Sequence, residues 1–287
     1  MNGATNTADY VAQLLRVISL PTPLAKAEAL AQTTAPADGA SWAAAVLPAR
    51  PGRPATWNET AHPPRRRRSL ADPGARKLFL HAIYHIELSA IDLAVLLCLR
   101  ASGAPRALHE DFLAIAREEA VHAQLLAGWL ADNGAPAGSY PVHHRLWDTA
   151  VACSDLGEQI VVVPRYLEAR GLDVSAELLP RLHQADAAAG AIIERIYRDE
   201  IRHVAVGARW HDWWCAQGEQ SRPAHFAAVV RQRFPTQLPS PFRLDHTGRR
   251  QAGFVAEELQ VLESPPPTTT ANENQPPDSG PGDIPGV

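Results

Sequence analysis

Two Glu-x-x-His motifs, Glu119–His122 and Glu200–His203, are each preceded by another glutamate at the same distance: Glu87 stands 32 positions before Glu119, and Glu168 stands 32 positions before Glu200. A shift of 81 residues therefore maps Glu87, Glu119 and His122 onto Glu168, Glu200 and His203. On a helix, residues three apart share a face, so each motif offers one carboxylate and one imidazole from a single turn. Those donors suit divalent iron, and a mixed manganese–iron pair equally, because both metals accept oxygen and imidazole ligands. Two ferrous ions held a few ångströms apart can each give O₂ one electron, while bridging carboxylates shift as the metals oxidise.

The elements that carry these residues are apolar on the same face. At a period of 3.6, Ile83, Glu87, Ala90, Ile91, Ala94 and Cys98 align, as do Leu108, Phe112, Ile115, Glu119, His122, Leu126 and Trp129. A third stripe runs Ile192, Ile193, Ile196, Glu200, His203, Val204, Gly207 and Trp210. No Lys or Arg falls on these stripes. Buried carboxylates are costly and repel one another unless protonated, paired or bound to cations, and metal ions are the simplest compensation. Glu168 has two competing readings: a surface pair with Arg165, and displacement as a ligand by Glu158 on the same helix.

The periodicity predicts four long helices, over 74–101, 107–132, 144–170 and 186–217, with a shorter piece over 175–184. Gly103 lies midway between Glu87 and Glu119, each about 24 Å along its helix from the turn, so an antiparallel hairpin brings them level. Short connections make sequential helices antiparallel. Gly171 is expected to end the third helix and Pro164 to kink it. Helices over 8–19, 222–234 and 249–262 are also expected. The fold class is all-α: a ferritin-like antiparallel four-helix bundle with extra short helices at both ends. One Glu from each of two helices, with Glu-x-x-His from each of the other two, is the ligand pattern of di-iron bundles. The chain divides into residues 1–73, a helix and a Pro/Arg-rich arm packing on the bundle; 74–262, the di-iron helical domain; and 263–287, a Pro-rich tail too polar to order.

Composition limits the function classes. The chain has 287 residues, 46% hydrophobic and 20% charged, with a net charge of −4. A mildly acidic chain is a poor general nucleic-acid binder, since phosphate binding needs a concentrated basic face. Three cysteines without a C-x-x-C pair make no disulfide framework. No secretory leader is expected and no uninterrupted apolar run reaches the roughly 20 residues of a membrane span. These features together predict a cytoplasmic protein.

Four segments carry a family resemblance: His81-Ala-Ile-Tyr-His-Ile-Glu87 through Asp92, Arg117-Glu-Glu119-Ala-Val-His122, Val163 through Asp173, and Arg198-Asp-Glu200-Ile-Arg-His203. Over about 70–262 the sequence resembles the DUF455 family of bacterial ferritin-like proteins, and more distantly the ferritin-like tRNA-modifying di-iron monooxygenase. The resemblance implies a di-iron centre ligated by Glu87, Glu119, His122, Glu168, Glu200 and His203. By fold analogy, Glu119 and Glu200 would bridge and Glu87 and Glu168 would be terminal. The expected activity is an O₂-activating oxidoreductase of hydroxylase or oxygenase type. Its partners would be O₂, an unknown small-molecule or RNA-linked substrate, and an electron-donor protein. A ferroxidase or peroxide-handling protein is one alternative, and a metal-stabilised scaffold another.

Around the motifs, His81 and His85 are expected in supporting or surface roles, and Tyr84 either packs or donates to a ligand. His143 and His144 read as loop or capping residues, and Trp210, Trp213 and Trp214 as packing. Arg195, Arg198 and Arg202 form an exposed stripe paired with Asp199 and other acids, and Arg65 to Arg68 form a solvated arm.

Overall fold

The computed structural model describes residues 6–60, 69–236 and 242–264. Within them the protein is all-α, and the extended contacts amount to one isolated bridge between Glu59 and Val142. The expected Pro-rich disordered tail and solvated Arg65–Arg68 arm lie outside the described residues.

Helix α1 (Thr7–Ser19) packs on α3 (Pro73–Arg100), and α2 (Pro23–Gln32) packs on α4 (Arg106–Asp132). The sequence reading did not foresee α2. Its signal is Thr22-Pro23: Thr22 Oγ1 accepts from Ala25 N at 3.3 Å, and Pro23 holds the first helical position. Asp72 caps α3 in the same way, accepting from Ala75 N at 2.7 Å ahead of Pro73. Gly103, at φ +81°, turns α3 into α4 where a side chain would be strained, and the two helices pack along their length as expected. By length and composition α3 could cross a membrane, but most of it is buried inside the protein, as befits a core helix.

The third predicted helix is different. Residues 145–151 form α5 and 156–160 form α6. Between them Asp155 caps the new helix, accepting from Glu158 N at 2.8 Å, while the Glu158 carboxylate accepts from Ser154 N at 2.6 Å. This reciprocal Asp-x-x-Glu capping interrupts the expected run of 144–170. The chain then continues as a π-helical segment, Val161–Glu168, and as α7, Ala169–Ala185. Pro164 thus does not simply kink an α-helix. It lacks the N–H that an α-helix would donate to Ile160, and it sits where the register widens by one residue. Gly171 does not end the helix either. Its φ is not positive, and its cost inside a helix is only about 0.5–1 kcal/mol. The stop falls at Asp186, which caps α8 (Ala187–Gln217) by accepting from Ala189 N at 2.9 Å.

Helix α8 lies along α7 and the π segment and also meets α4. Gly207 permits the close approach: a Cβ there would sit 2.6 Å from Pro164 Cβ. Helices α9 (Arg222–Arg233), α10 (His246–Gln251) and α11 (Ala256–Glu263) close one end. They are tied down by two buried ion pairs, Arg165–Glu258 and Arg249–Asp173. Arg165 is therefore not the partner of Glu168.

Candidate metal centre

Glu119 is fully buried between two imidazoles. His122, one turn on in α4, places Nδ1 3.4 Å from Glu119 Oε2, and His203 of α8 places Nδ1 2.9 Å from Glu119 Oε1. His122 Nδ1 also lies 3.1 Å from Glu87 Oε2 of α3, and His203 Nδ1 lies 3.8 Å from Glu200 Oε1. One donor atom from each of Glu87, Glu119, His122 and Glu200 falls within 4.8 Å of all the others, an arrangement that could hold a metal ion. Glu168 ends the π segment and lines the same cavity as Glu87 and Glu200. Glu158 is elsewhere, held by Ser154 and by Arg233 at 3.3 Å.

Several of these atoms lack partners. Both Glu119 oxygens, one oxygen each of Glu168 and Glu200, and His203 Nδ1 are buried without a hydrogen bond. The short Glu119–His203 distance does not change this, because the two groups are not aligned as donor and acceptor. Buried, unpaired polar atoms are expensive, and five of them on these neighbouring side chains fit cations. With carboxylate and imidazole donors and no thiolate, the set suits iron, manganese or zinc.

Burial raises Glu87 to about 7 and Glu168 to about 8, with the Glu119 charge adding to both, and it lifts Glu200 well above the usual carboxylate range. Burial works against ionised Glu119 too, but the two imidazoles outweigh it and hold its pKa low. They are charged in return: against burial, Glu119 and Glu87 raise His122 to about 12, and Glu118 and Glu119 raise His203 well above its ordinary value. Burial thus favours the protonated forms of Glu87, Glu168 and Glu200 and leaves Glu119 the one carboxylate held ionised.

Each histidine presents Nδ1 to the centre and Nε2 to an outer carboxylate contributed by the other helix. His122 Nε2 lies 3.0 Å from Asp199, and His203 Nε2 lies 2.7 Å from Glu118. Arg202 joins the two, donating to Glu118 at 2.7 and 2.8 Å and to Asp199 at 3.3 Å. An Nε2–H held this way leaves the Nδ1 lone pair of a neutral ring free for a metal. The sequence reading paired Asp199 only with the arginine stripe and passed over Glu118. The signal was there, since both motifs read Arg-acid-Glu-x-x-His. Glu118→Gln combined with Asp199→Asn is expected to weaken metal binding by roughly 10–100-fold without loss of helix. A competition titration against a chromophoric chelator measures this, and a change below about twofold would contradict the role.

The neighbouring residues divide. His81, His85 and His143 all line the cavity, and His81 Nε2 accepts from Gly138 N at 3.0 Å. Tyr84 packs edge-on against Trp57. His144 bonds Glu59 at 2.9 Å and gives no side-chain cap. Trp210 and Trp213 pack together as expected, and Arg195 and Arg202 pair with Asp199.

A second cluster, His211, Cys215 and His225, is also close enough to hold an ion. The buried Arg165 guanidinium lies 3.1 Å from His211 Nδ1, and His211 Nε2 lies 2.8 Å from His225 Nδ1. Arg165 can only donate, so Nε2 carries the ring proton and is already used. A cation there would displace that proton and face a guanidinium, so the cluster reads as packing. All three cysteines are free and buried.

The fold and site define an all-α protein with a buried glutamate–histidine cluster that could bind metal ions. The chain belongs to the family described as "Protein of unknown function (DUF455)", whose model matches residues 14–260. It is 38% identical over 205 residues to an "Uncharacterized protein" of Haemophilus influenzae, covering 68% of this chain and 70% of that one. No solved structure matches it.

Proposed function

We propose that this chain is a ferritin-like di-iron carboxylate protein that activates O₂ and oxidises a small organic substrate, as a hydroxylase or related oxygenase. The observation that carries the reading is the position of Glu119. It touches both Glu-x-x-His imidazoles, one through each oxygen, as a carboxylate shared by two metal ions would. Two ferrous ions held there would supply two electrons to O₂; with two protons taken from solvent, one oxygen atom would enter a C–H bond and the other leave as water. An external reductant is then needed for each further turnover.

The remaining work belongs to the chain. Glu87, Glu168 and Glu200 line the cavity, while Glu119, His122 and His203 lie outside its lining. Glu118, Asp199 and Arg202 fix the imidazole rings. The mainly apolar cavity beside the carboxylates favours the oxygenase over a ferroxidase, which needs no organic pocket.

The pH dependence follows from protonation. Groups with raised pKa hold protons in the metal-free protein, and metal ions compete with them. Ferrous affinity should therefore rise steadily from pH 5 to 8, with protons released on binding, and calorimetry in buffers of different ionisation enthalpy measures that release. Binding that is flat with pH would contradict the ligand set. The function itself is tested by O₂ consumption of the anaerobically iron-loaded chain. Fast uptake is expected, whereas iron-loaded protein inert to O₂ would leave a structural metal site.

A further inference from the structure

We infer that the cavity beside Glu87, Glu168 and Glu200 binds a small, mainly apolar molecule without net charge, held by a single hydroxyl or carbonyl group at His85 and His143. As a statement about substrate it rests on the oxygenase reading; as a binding site it does not.

The cavity measures about 220 Å³. That is below the roughly 300–1,000 Å³ of sites for drug-sized ligands. Ile83, Ile86, Ala90, Leu146, Ile193 and Ile196 make its wall apolar. Within this wall His85 is 4% exposed and its Nε2 has no hydrogen-bond partner. The Nδ1 of His143 is also buried and unpartnered, and the two rings meet edge-on at 5.4 Å. An unpaired buried nitrogen is costly, and its cost is relieved when a ligand supplies the missing partner. A pair of such nitrogens set in a mainly apolar wall suits a site that orients an apolar ligand by one polar group.

Charge is disfavoured inside. A carboxylate would face Glu87, Glu168 and Glu200. An ammonium would need one of those same carboxylates, which the proposed ions already engage. Arg145 and Arg170, the cations of the lining, are half-buried.

The test is titration calorimetry of the full chain, metal-free and iron-loaded, with 1-hexanol, 2-hexanone, hexanoate and hexylammonium. Hexanol and hexanone are expected to bind at least about tenfold more tightly than either ion. His85→Phe should weaken hexanol binding about tenfold while metal content and helix content stay unchanged. Ala82→Trp, on the half-buried lining, should abolish it by filling the chamber. Equal or tighter binding of an ion, or hexanol binding indifferent to both substitutions, overturns the inference. Iron loading and O₂ uptake without hexanol binding would overturn this inference alone. Hexanol binding with no O₂ uptake would overturn the oxygenase reading alone.

Discussion

Replacing Glu119 by alanine is expected to remove essentially all iron from the reconstituted protein, from about two ions per chain to near zero. No other candidate ligand lies against both imidazoles, so its loss weakens both halves of the site together. Glu87→Ala and Glu168→Ala should each cost a comparable share of the iron, because they are equivalent positions in the 81-residue repeat. Glu158→Ala should cost none, since that carboxylate caps α6. Plasma emission analysis of desalted protein reads the content, compared at equal helical circular dichroism, because an alanine may even stabilise a metal-free core. Full iron in Glu168→Ala would remove that residue from the ligand set.

The largest stability effect is expected at Asp92. Its carboxylate accepts from Lys26 Nζ at 2.6 Å and from Arg53 Nη1 at 2.9 Å, and all three side chains are buried. Lys26 also donates to the carbonyls of Val17 and Ile18, so this one point pins α1, α2 and the arm onto α3. Asp92→Ala leaves two buried cations without a counter-charge, at a cost of about 3–5 kcal/mol. The melting temperature should fall by on the order of 10 °C. Lys26→Met together with Asp92→Asn should recover part of the loss, because fewer charges remain unpaired. A fall under about 2 °C for Asp92→Ala would show that the pair contributes little.

Much of this was legible in the sequence, for identifiable reasons. Helices α3, α4 and α8 carry long apolar stripes, and their ends are marked by Asp72-Pro73, Gly103 and Asp186. The glutamates and histidines stood out because they interrupt those stripes. The third segment was misread because its local signals conflict. Asp155 and Glu158 start a helix inside an otherwise continuous pattern, and Pro164 shifts the register instead of breaking it. Gly171 is merely tolerated within α7. Glu118 and Asp199 read as surface acids because the imidazoles they hold belong to the other helix, 85 and 77 residues away. Lys26 likewise gave no sign of a partner 66 residues off, since long-range pairing leaves no periodic trace.

Two metal ions in one carboxylate-bridged site is the central claim, and Mössbauer spectroscopy of the full chain reconstituted anaerobically with ⁵⁷Fe²⁺ tests it most directly. The expected result is about two ferrous ions per chain in oxygen- and nitrogen-rich coordination, converting on exposure to air to a diamagnetic, antiferromagnetically coupled diferric pair. A single bound ion, or ferric iron that stays paramagnetic and uncoupled, would contradict it.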